Sequence, residues 1–247
     1  MKMKQVISSL TLLLTMAVAG QALAAPKVVK VATDATWPPM EMVDANKNIV
    51  GFDIDFMKAV AKEGGFAVEF KNSAWDGIFA GVESGQYDAI ISSVTITEER
   101  QKKYDFSLPY LDAGQILVVP KGEKAGKLAE LVGKKVGAQI GTTGAFEVKK
   151  NKGVELKTYD EVGLAFEDMV AGRIGGVVCD EPTAIIYALK KKEYADKFKI
   201  VGKAFTKEAY GIVVKKGDKE LLALINKGIK AVKAKKQDGA MKAQWLK

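Results

Sequence analysis

Histidine is missing from all 247 residues. That one absence removes Ser-His-Asp and Cys-His nucleophile pairs, histidine-containing zinc sites and imidazole acid–base chemistry together. Catalysis near neutral pH would then need a carboxyl with a raised pKa or a lysine with a lowered one. Cysteine occurs once, at Cys179, so no internal disulfide can form even in an oxidising compartment. The expected role of Cys179 is a small buried residue at a strand end. Only six prolines accompany an apolar share of 48%, which excludes a disordered chain and leaves a folded globular one. No metal and no cofactor are expected, and no second candidate membrane span follows residue 25.

What is present begins with a leader. Lys2 and Lys4 form a basic start, Val6 to Ala19 is mostly apolar, and Ala22-Leu23-Ala24 supplies small residues for cleavage. Residues 1–24 are therefore expected to be a signal peptide, the mature chain to start at Ala25, and the protein to be a soluble exported one. The apolar run is shorter than the ~20 residues a spanning helix needs. No cysteine stands near the cleavage site to take a lipid. Formal charge is +8, from 38 basic and 30 acidic residues; without Lys2 and Lys4 it is 36 against 30, or +6. Lysine scattered over helix faces, without interleaved aromatics, reads as solvated surface and not as a nucleic-acid groove. No nucleic acid is expected as a partner, and a monomer is.

The mature chain alternates strands and helices. Strands are expected at Val28 to Thr33, Phe66 to Lys71 and up to Ile91, with helices from Asp53 and over Asp76 to Ser84. On the first helix Phe56, Met57, Val60, Ala61 and Gly64 share one face, leaving Asp53 as a helix-start charge and Asp55 toward solvent. Glu41 to Val50 reads as a hairpin turning at Asp44 to Asn48. Strands at Gly114 to Pro120, Lys135 to Gln139, Val154 to Tyr159, Gly175 to Val178 and Tyr210 to Lys215 follow. Helices are expected from Ala145, over Asp160 to Arg173, over Glu181 to Lys192 and from Asp218. Such alternation predicts an α/β fold with mostly parallel sheets. A weak internal repeat lays residues 83–93, ending Ala-Ile-Ile-Ser-Ser, on residues 170–180, ending Gly-Val-Val-Cys-Asp. Ser93 then corresponds to Asp180, and two similar lobes would face each other across a cleft.

Polar residues cluster where the strands exit, the place where open α/β sheets hold ligands. Ser92, Ser93 and Thr95 follow one strand, and Arg100 lies a turn into the capped helix beginning at Thr97. Gly141-Thr142-Thr143-Gly144 opens a helix in the second lobe, and Asp180 ends a strand before Glu181-Pro182. An α-amino acid carries a carboxylate and an ammonium on one carbon, and both need partners in a cleft that excludes water. Arg100 suits the first as a planar fork, with N–H groups of the helix at 141–144 beside it. Asp180 suits the second, with Ser93 and Thr95. Each of Thr142, Thr143 and Asp180 reads equally well as a helix cap. Asp34 with Trp37 and Trp75 would frame a cationic or amide side chain, although either tryptophan alone could be plain core.

The motifs Gly51-Phe52-Asp53-Ile54-Asp55, Ala74-Trp75-Asp76-Gly77-Ile78, Ser92-Ser93-Val94-Thr95-Ile96-Thr97-Glu98-Glu99-Arg100, Gly141-Thr142-Thr143 and Asp180-Glu181-Pro182, in this order, resemble the periplasmic solute-binding proteins of polar amino acid ABC transporters. That group contains the histidine, lysine/arginine/ornithine and glutamine binding proteins. The resemblance covers essentially the whole mature chain. It implies two Rossmann-like α/β lobes joined by two crossing segments, the type II periplasmic binding protein fold, closing on a ligand for delivery to a membrane permease. Lobe 1 would comprise residues 25–111 and 210–247 and lobe 2 residues 115–206, with hinges near 110–114 and 206–210. It further implies that Arg100 clamps the α-carboxylate and Thr143 meets it. Ser93, Thr95 and Asp180 would hold the ammonium, and Asp34, Trp37 and Trp75 would line the side-chain pocket. The sequence departs from histidine-type members at Gly144, where they carry a larger polar residue, and at Trp37, where tyrosine or phenylalanine is usual. A basic amino acid or glutamine is the expected ligand. A dehydratase on the same scaffold is a second reading, short of an evident proton-transfer group. An amino acid sensor is a third; fused to a signalling protein it would be expected to continue into a membrane span, and the sequence stops at Lys247 without one.

Overall fold

The computed structural model describes residues 26–194 and 196–247; the expected leader, its cleavage site and Ala25 lie outside the described residues. The chain opens with β1 (Val28–Thr33), β2 (Thr36–Trp37), β3 (Glu41–Val43), β4 (Ile49–Val50), α1 (Phe52–Gly64), β5 (Ala67–Asn72), α2 (Trp75–Glu83), β6 (Ala89–Ile90), α3 (Glu98–Lys103) and β7 (Tyr104–Phe106). A crossing strand, β8 (Leu111–Ala113), leads to β9 (Gln115–Pro120), β10 (Lys135–Gln139), α4 (Thr143–Lys150), β11 (Glu155–Tyr159), α5 (Val162–Val170), β12 (Gly176–Asp180), α6 (Glu181–Ile185) and β13 (Phe198–Val201). The chain returns through β14 (Glu208–Tyr210) to β15 (Val213–Lys215), α7 (Lys219–Ala234) and α8 (Gln237–Trp245).

Two five-stranded sheets form the lobes, ordered β5-β1-β6-β15-β7 and β11-β10-β12-β9-β13. In each, three strands run parallel, while β15 and β9 pair antiparallel with both neighbours. The antiparallel strands are those that arrive directly from the crossing, so they enter the sheet from the opposite end. β8 and β14 pair antiparallel, with Leu111 opposite Tyr210 and Ala113 opposite Glu208. The internal repeat has a structural counterpart: β6 and β12, which precede Ser93 and end at Asp180, both occupy the third place in their sheets.

Amphipathic periodicity sets the packing of the first lobe. Phe56, Met57, Val60, Ala61 and Gly64 of α1 are buried against Leu221, Ile225, Ile229 and Val232 of α7. Each large side chain in that seam contributes about 1.5–3 kcal/mol through removal from water. Cys179 is buried within β12.

Several local expectations are corrected. β12 runs two residues past Val178, so Cys179 and Asp180 belong to the strand itself. The strand expected over Tyr210 to Lys215 is broken at Gly211 and Ile212, because its first part pairs with β8 and its second with β6 and β7. The edge strands β7 and β13, three and four residues long, are too short for a pattern to mark them. Asp53 is not a surface helix-start charge but fully buried, accepting from the Ser93 amide and the Tyr110 hydroxyl, both at 2.7 Å. Asp55 is partly covered and accepts from Trp245 Nε1 at 2.9 Å.

Candidate functional site

The strand exits of both sheets face one another, and nine of the ten expected site residues line one pocket between them. They are Trp37, Trp75, Ser92, Ser93, Thr95 and Arg100 from the first lobe, and Thr142, Thr143 and Asp180 from the second. Asp34, the tenth, is buried just behind it. The lobes touch across the cleft: Arg100 Nη2 donates to the Gly141 carbonyl at 3.2 Å, Gln139 Nε2 donates to Asp34 Oδ2 at 2.8 Å, and Trp37 Nε1 donates to Gln139 Oε1.

Local structure explains how each side chain is held. Thr97 caps α3 by accepting from the Arg100 amide at 3.2 Å, which starts the helix and aims the arginine back over its own N-terminal segment. The guanidinium donates to the Thr95 carbonyl at 2.9 Å and lies 5.4 Å from the ring centres of both Trp75 and Phe79. Of its five N–H groups, these contacts and the one to Gly141 occupy two, leaving a fork for an incoming carboxylate. Burial lowers the Arg100 pKa from its ordinary value, opposed by the negative charges of Asp180 and Glu208.

Ser93 sits at φ +48°, a left-handed backbone that is uncommon outside glycine, and the Asp53 carboxylate pins its N–H there. Ser92 Oγ accepts from the Asp34 amide at 2.9 Å and donates to Glu41 Oε1 at 3.0 Å. Beneath the serines, Glu41 and Asp53 form a buried acid pair. Burial and the Asp53 charge push Glu41 well above the carboxylate range, while burial raises Asp53 to about 6 despite three donors. One shared proton satisfies two such close acids.

Of the cap readings, Thr142 is a cap, its Oγ1 accepting from the Ala145 amide at 3.2 Å, while it also reaches the cavity wall. Asp180 precedes α6 but makes no side-chain cap bond; Gln115 Nε2 donates to its Oδ1 at 2.9 Å. Burial and the neighbouring Glu208 charge raise Asp180 to about 7. Trp37 has both roles considered for it, packing in the hydrophobic cluster of the second lobe and facing the cavity.

Three residues of the site escaped the sequence reading: Gln115, Gln139 and Glu208. Gln115 begins β9, Gln139 ends β10 and Glu208 begins β14, so all three stand at strand ends. That position was the available signal for the two glutamines. For Glu208 nothing local distinguishes it from surface glutamates. Gly144 has a packing cause. A Cβ there would lie 2.7 Å from Gln115 Oε1 and 3.0 Å from the Val178 carbonyl, so the amide of Gln115 fills the space a side chain would need.

The buried acids make stability depend on pH. Asp34, Glu41, Asp53 and Asp180 all have folded pKa values raised, chiefly by burial. Between about pH 4, where unfolded carboxyls titrate, and pH 7 the folded state binds more protons, so stability falls as pH rises. Asp105 and Glu123, held at about 2 chiefly by lysine contacts, act oppositely below pH 4. The ligand-free protein is expected to melt at a higher temperature at pH 5 than at pH 8. Asp180→Asn should reduce that difference. Melting scans at the two pH values check this, and a higher melting point at pH 8 would contradict it.

With this geometry in place, comparison with known proteins gives a consistent result. The family model of bacterial extracellular solute-binding proteins, family 3, matches residues 29–247. A probable histidine-binding protein of Neisseria gonorrhoeae is 36% identical over 211 residues, covering 84% of this chain and 78% of that one. An L-cystine-binding protein of Escherichia coli is 33% identical over 216 residues, covering 86% and 79%. Among solved structures, an ancestral arginine-binding protein bound to arginine superposes with a TM-score of 0.85 at 42% identity, covering 89% of this chain and 98% of that one. Matched in sequence from residue 29 to its last residue, and in fold across both lobes, the chain belongs to the bacterial extracellular solute-binding proteins of family 3.

Proposed function

We propose that this protein captures a polar L-amino acid between its lobes, in the periplasm, and delivers it to the permease of an ABC transporter. The observation that carries the reading is that Arg100 and Asp180, one from each lobe, line the same pocket. Opposite charges on the wall of one pocket suit a zwitterion, and each satisfies a ligand charge that burial would otherwise make costly. In this reading Arg100 takes the α-carboxylate, and Asp180, Ser93 and Thr95 take the ammonium. Asp34, Trp37 and Trp75 surround the side chain, and the segments at 110–114 and 206–210 act as hinges for closure around the ligand.

Charge around the cleft favours a basic side chain. Arg100 stands against the negative charges of Asp180, Glu208 and Glu99, and Glu161 adds to the negative field at Asp34. A zwitterion leaves that imbalance unchanged, whereas arginine, lysine or ornithine reduces it and can stack on the tryptophans. Asp34→Asn is expected to weaken arginine binding more than glutamine binding, because only arginine loses a charge partner. A thermal-shift screen of the refolded, leader-free protein and the variant against the twenty amino acids tests both statements, since a ligand that binds only the folded state raises its melting temperature. No shift with any amino acid would refute the reading. Equal losses for arginine and glutamine would remove Asp34 from the side-chain pocket.

A further inference from the structure

Glu208 lies on the returning crossing strand and accepts four hydrogen bonds from four segments. Its Oε2 accepts from Thr95 Oγ1 of the first lobe at 2.8 Å, from Thr143 Oγ1 of the second at 2.9 Å, and from Gln115 Nε2 at 3.2 Å. Its Oε1 accepts from Thr206 Oγ1 at 2.8 Å. A hydroxyl has one hydrogen, and an ionised carboxylate has none to offer. The contacts to Glu208 are shorter than the 3.4 Å between the two hydroxyl oxygens themselves, so Thr95 and Thr143 each spend their one hydrogen on Glu208, and toward the cavity they line they present lone pairs. Gln115 Nε2 has two hydrogens, shared among Asp180 Oδ1 at 2.9 Å, Thr143 Oγ1 at 3.0 Å and Glu208 Oε2 at 3.2 Å, so neither is left facing inward.

We infer that Glu208 is a positioning residue that fixes the hydrogen-bond polarity of this corner, making Thr95 and Thr143 acceptors for a ligand ammonium. The inference rests on the amino acid reading and deepens it. It also moves the Thr143 hydroxyl from the carboxylate end, where the sequence resemblance put it, to the ammonium end. Two lone-pair hydroxyls beside Asp180 make a three-acceptor corner, which matches the three N–H groups of an ammonium and offers nothing to an anion. Discrimination between a ligand that carries an ammonium and one that lacks it then depends on a residue that need not touch either.

The test compares arginine with δ-guanidinovalerate, the same molecule without its α-ammonium, by calorimetry on the wild type, Glu208→Met and Glu208→Gln. Glu208→Met removes the acceptor and frees the threonine hydrogens. Arginine binding is expected to fall about 10- to 100-fold, the range for a lost hydrogen bond to a charged group, with binding of the des-amino analogue nearly unchanged. Glu208→Gln keeps an acceptor oxygen and should restore most of the loss. Equal loss for both ligands, no loss, or no rescue by glutamine would overturn the inference, because a general structural role moves both ligands alike. A ligand-free measurement separates this outcome from failure of the amino acid reading. Carboxyl NMR titration should show the Asp180 midpoint, about 7 in the wild type, lowered in both variants as the neighbouring charge is lost. An unmoved midpoint would refute the placement of Glu208 at this corner whatever ligand the cleft takes.

Discussion

Arg100→Ala is expected to weaken amino acid binding by about 2–5 kcal/mol, on the order of 30-fold to several thousand-fold. The size follows from what the side chain does at once. Among the described residues its free N–H groups are the only guanidinium fork on the pocket wall, and in the proposed binding mode truncation leaves a buried ligand carboxylate without its charge partner, the costly half of breaking a buried pair. The same side chain ties the lobes through the Gly141 carbonyl and covers the faces of Trp75 and Phe79, so alanine also loosens the closed arrangement. Lysine is not an adequate substitute, since a single ammonium cannot reach the Thr95 carbonyl, the Gly141 carbonyl and a carboxylate together with the geometry of a planar fork. Calorimetric titration with the amino acid that most stabilises the wild type decides the matter. Unchanged affinity would remove Arg100 from the site.

The largest effect on stability is expected at a place remote from the ligand. Gly228 of α7 faces α1, and a Cβ built there would lie 2.2 Å from the Val60 carbonyl oxygen and 2.9 Å from its carbon. Backbone cannot swing aside as a side-chain tip does, so Gly228→Ala must push α7 off the Phe56, Val60 and Ile225 seam. Alanine's better helix propensity returns up to about 1 kcal/mol. Overpacking outweighs it, for an expected net loss of about 2 kcal/mol, or roughly 4–8 °C in Tm for a chain of this size. Gly239→Ala on α8 is the matched control, since nothing lies within 4 Å of the added carbon; it should be neutral or slightly stabilising. Melting both variants checks the pair, and a Gly228→Ala protein as stable as the wild type would show that the two helices are not in register as described.

Where the sequence was informative, the signal was local. Apolar spacing at 56, 57, 60, 61 and 64 marked the buried face of α1 because a helix repeats every 3.6 residues whatever it packs against. Thr97 as a cap, with Arg100 a turn later, was legible because capping is decided within four residues. Strand exits rich in hydroxyls, glycine and acid marked the cleft for a topological reason, since parallel strands bring their carboxyl ends to one edge. By itself, then, the sequence determined the α/β character, the repeated lobe and nine cavity-lining residues.

Only the tertiary structure decided which polar groups meet. Asp53 looked like a helix-start charge, yet it sits under Ser93 and Tyr110 because the first crossing segment folds over α1. Asp180 looked equally like a cap and a ligand group, and the approach of Gln115 and Glu208 turned it to the cleft. Glu208 itself follows Thr95 by 113 positions and Gln115 by 93. The physical reason is that a hydrogen bond requires about 3 Å of separation and a defined direction. Side chains on separate lobes acquire both only when two crossing strands set one sheet against the other, and no periodicity along the chain encodes that distance.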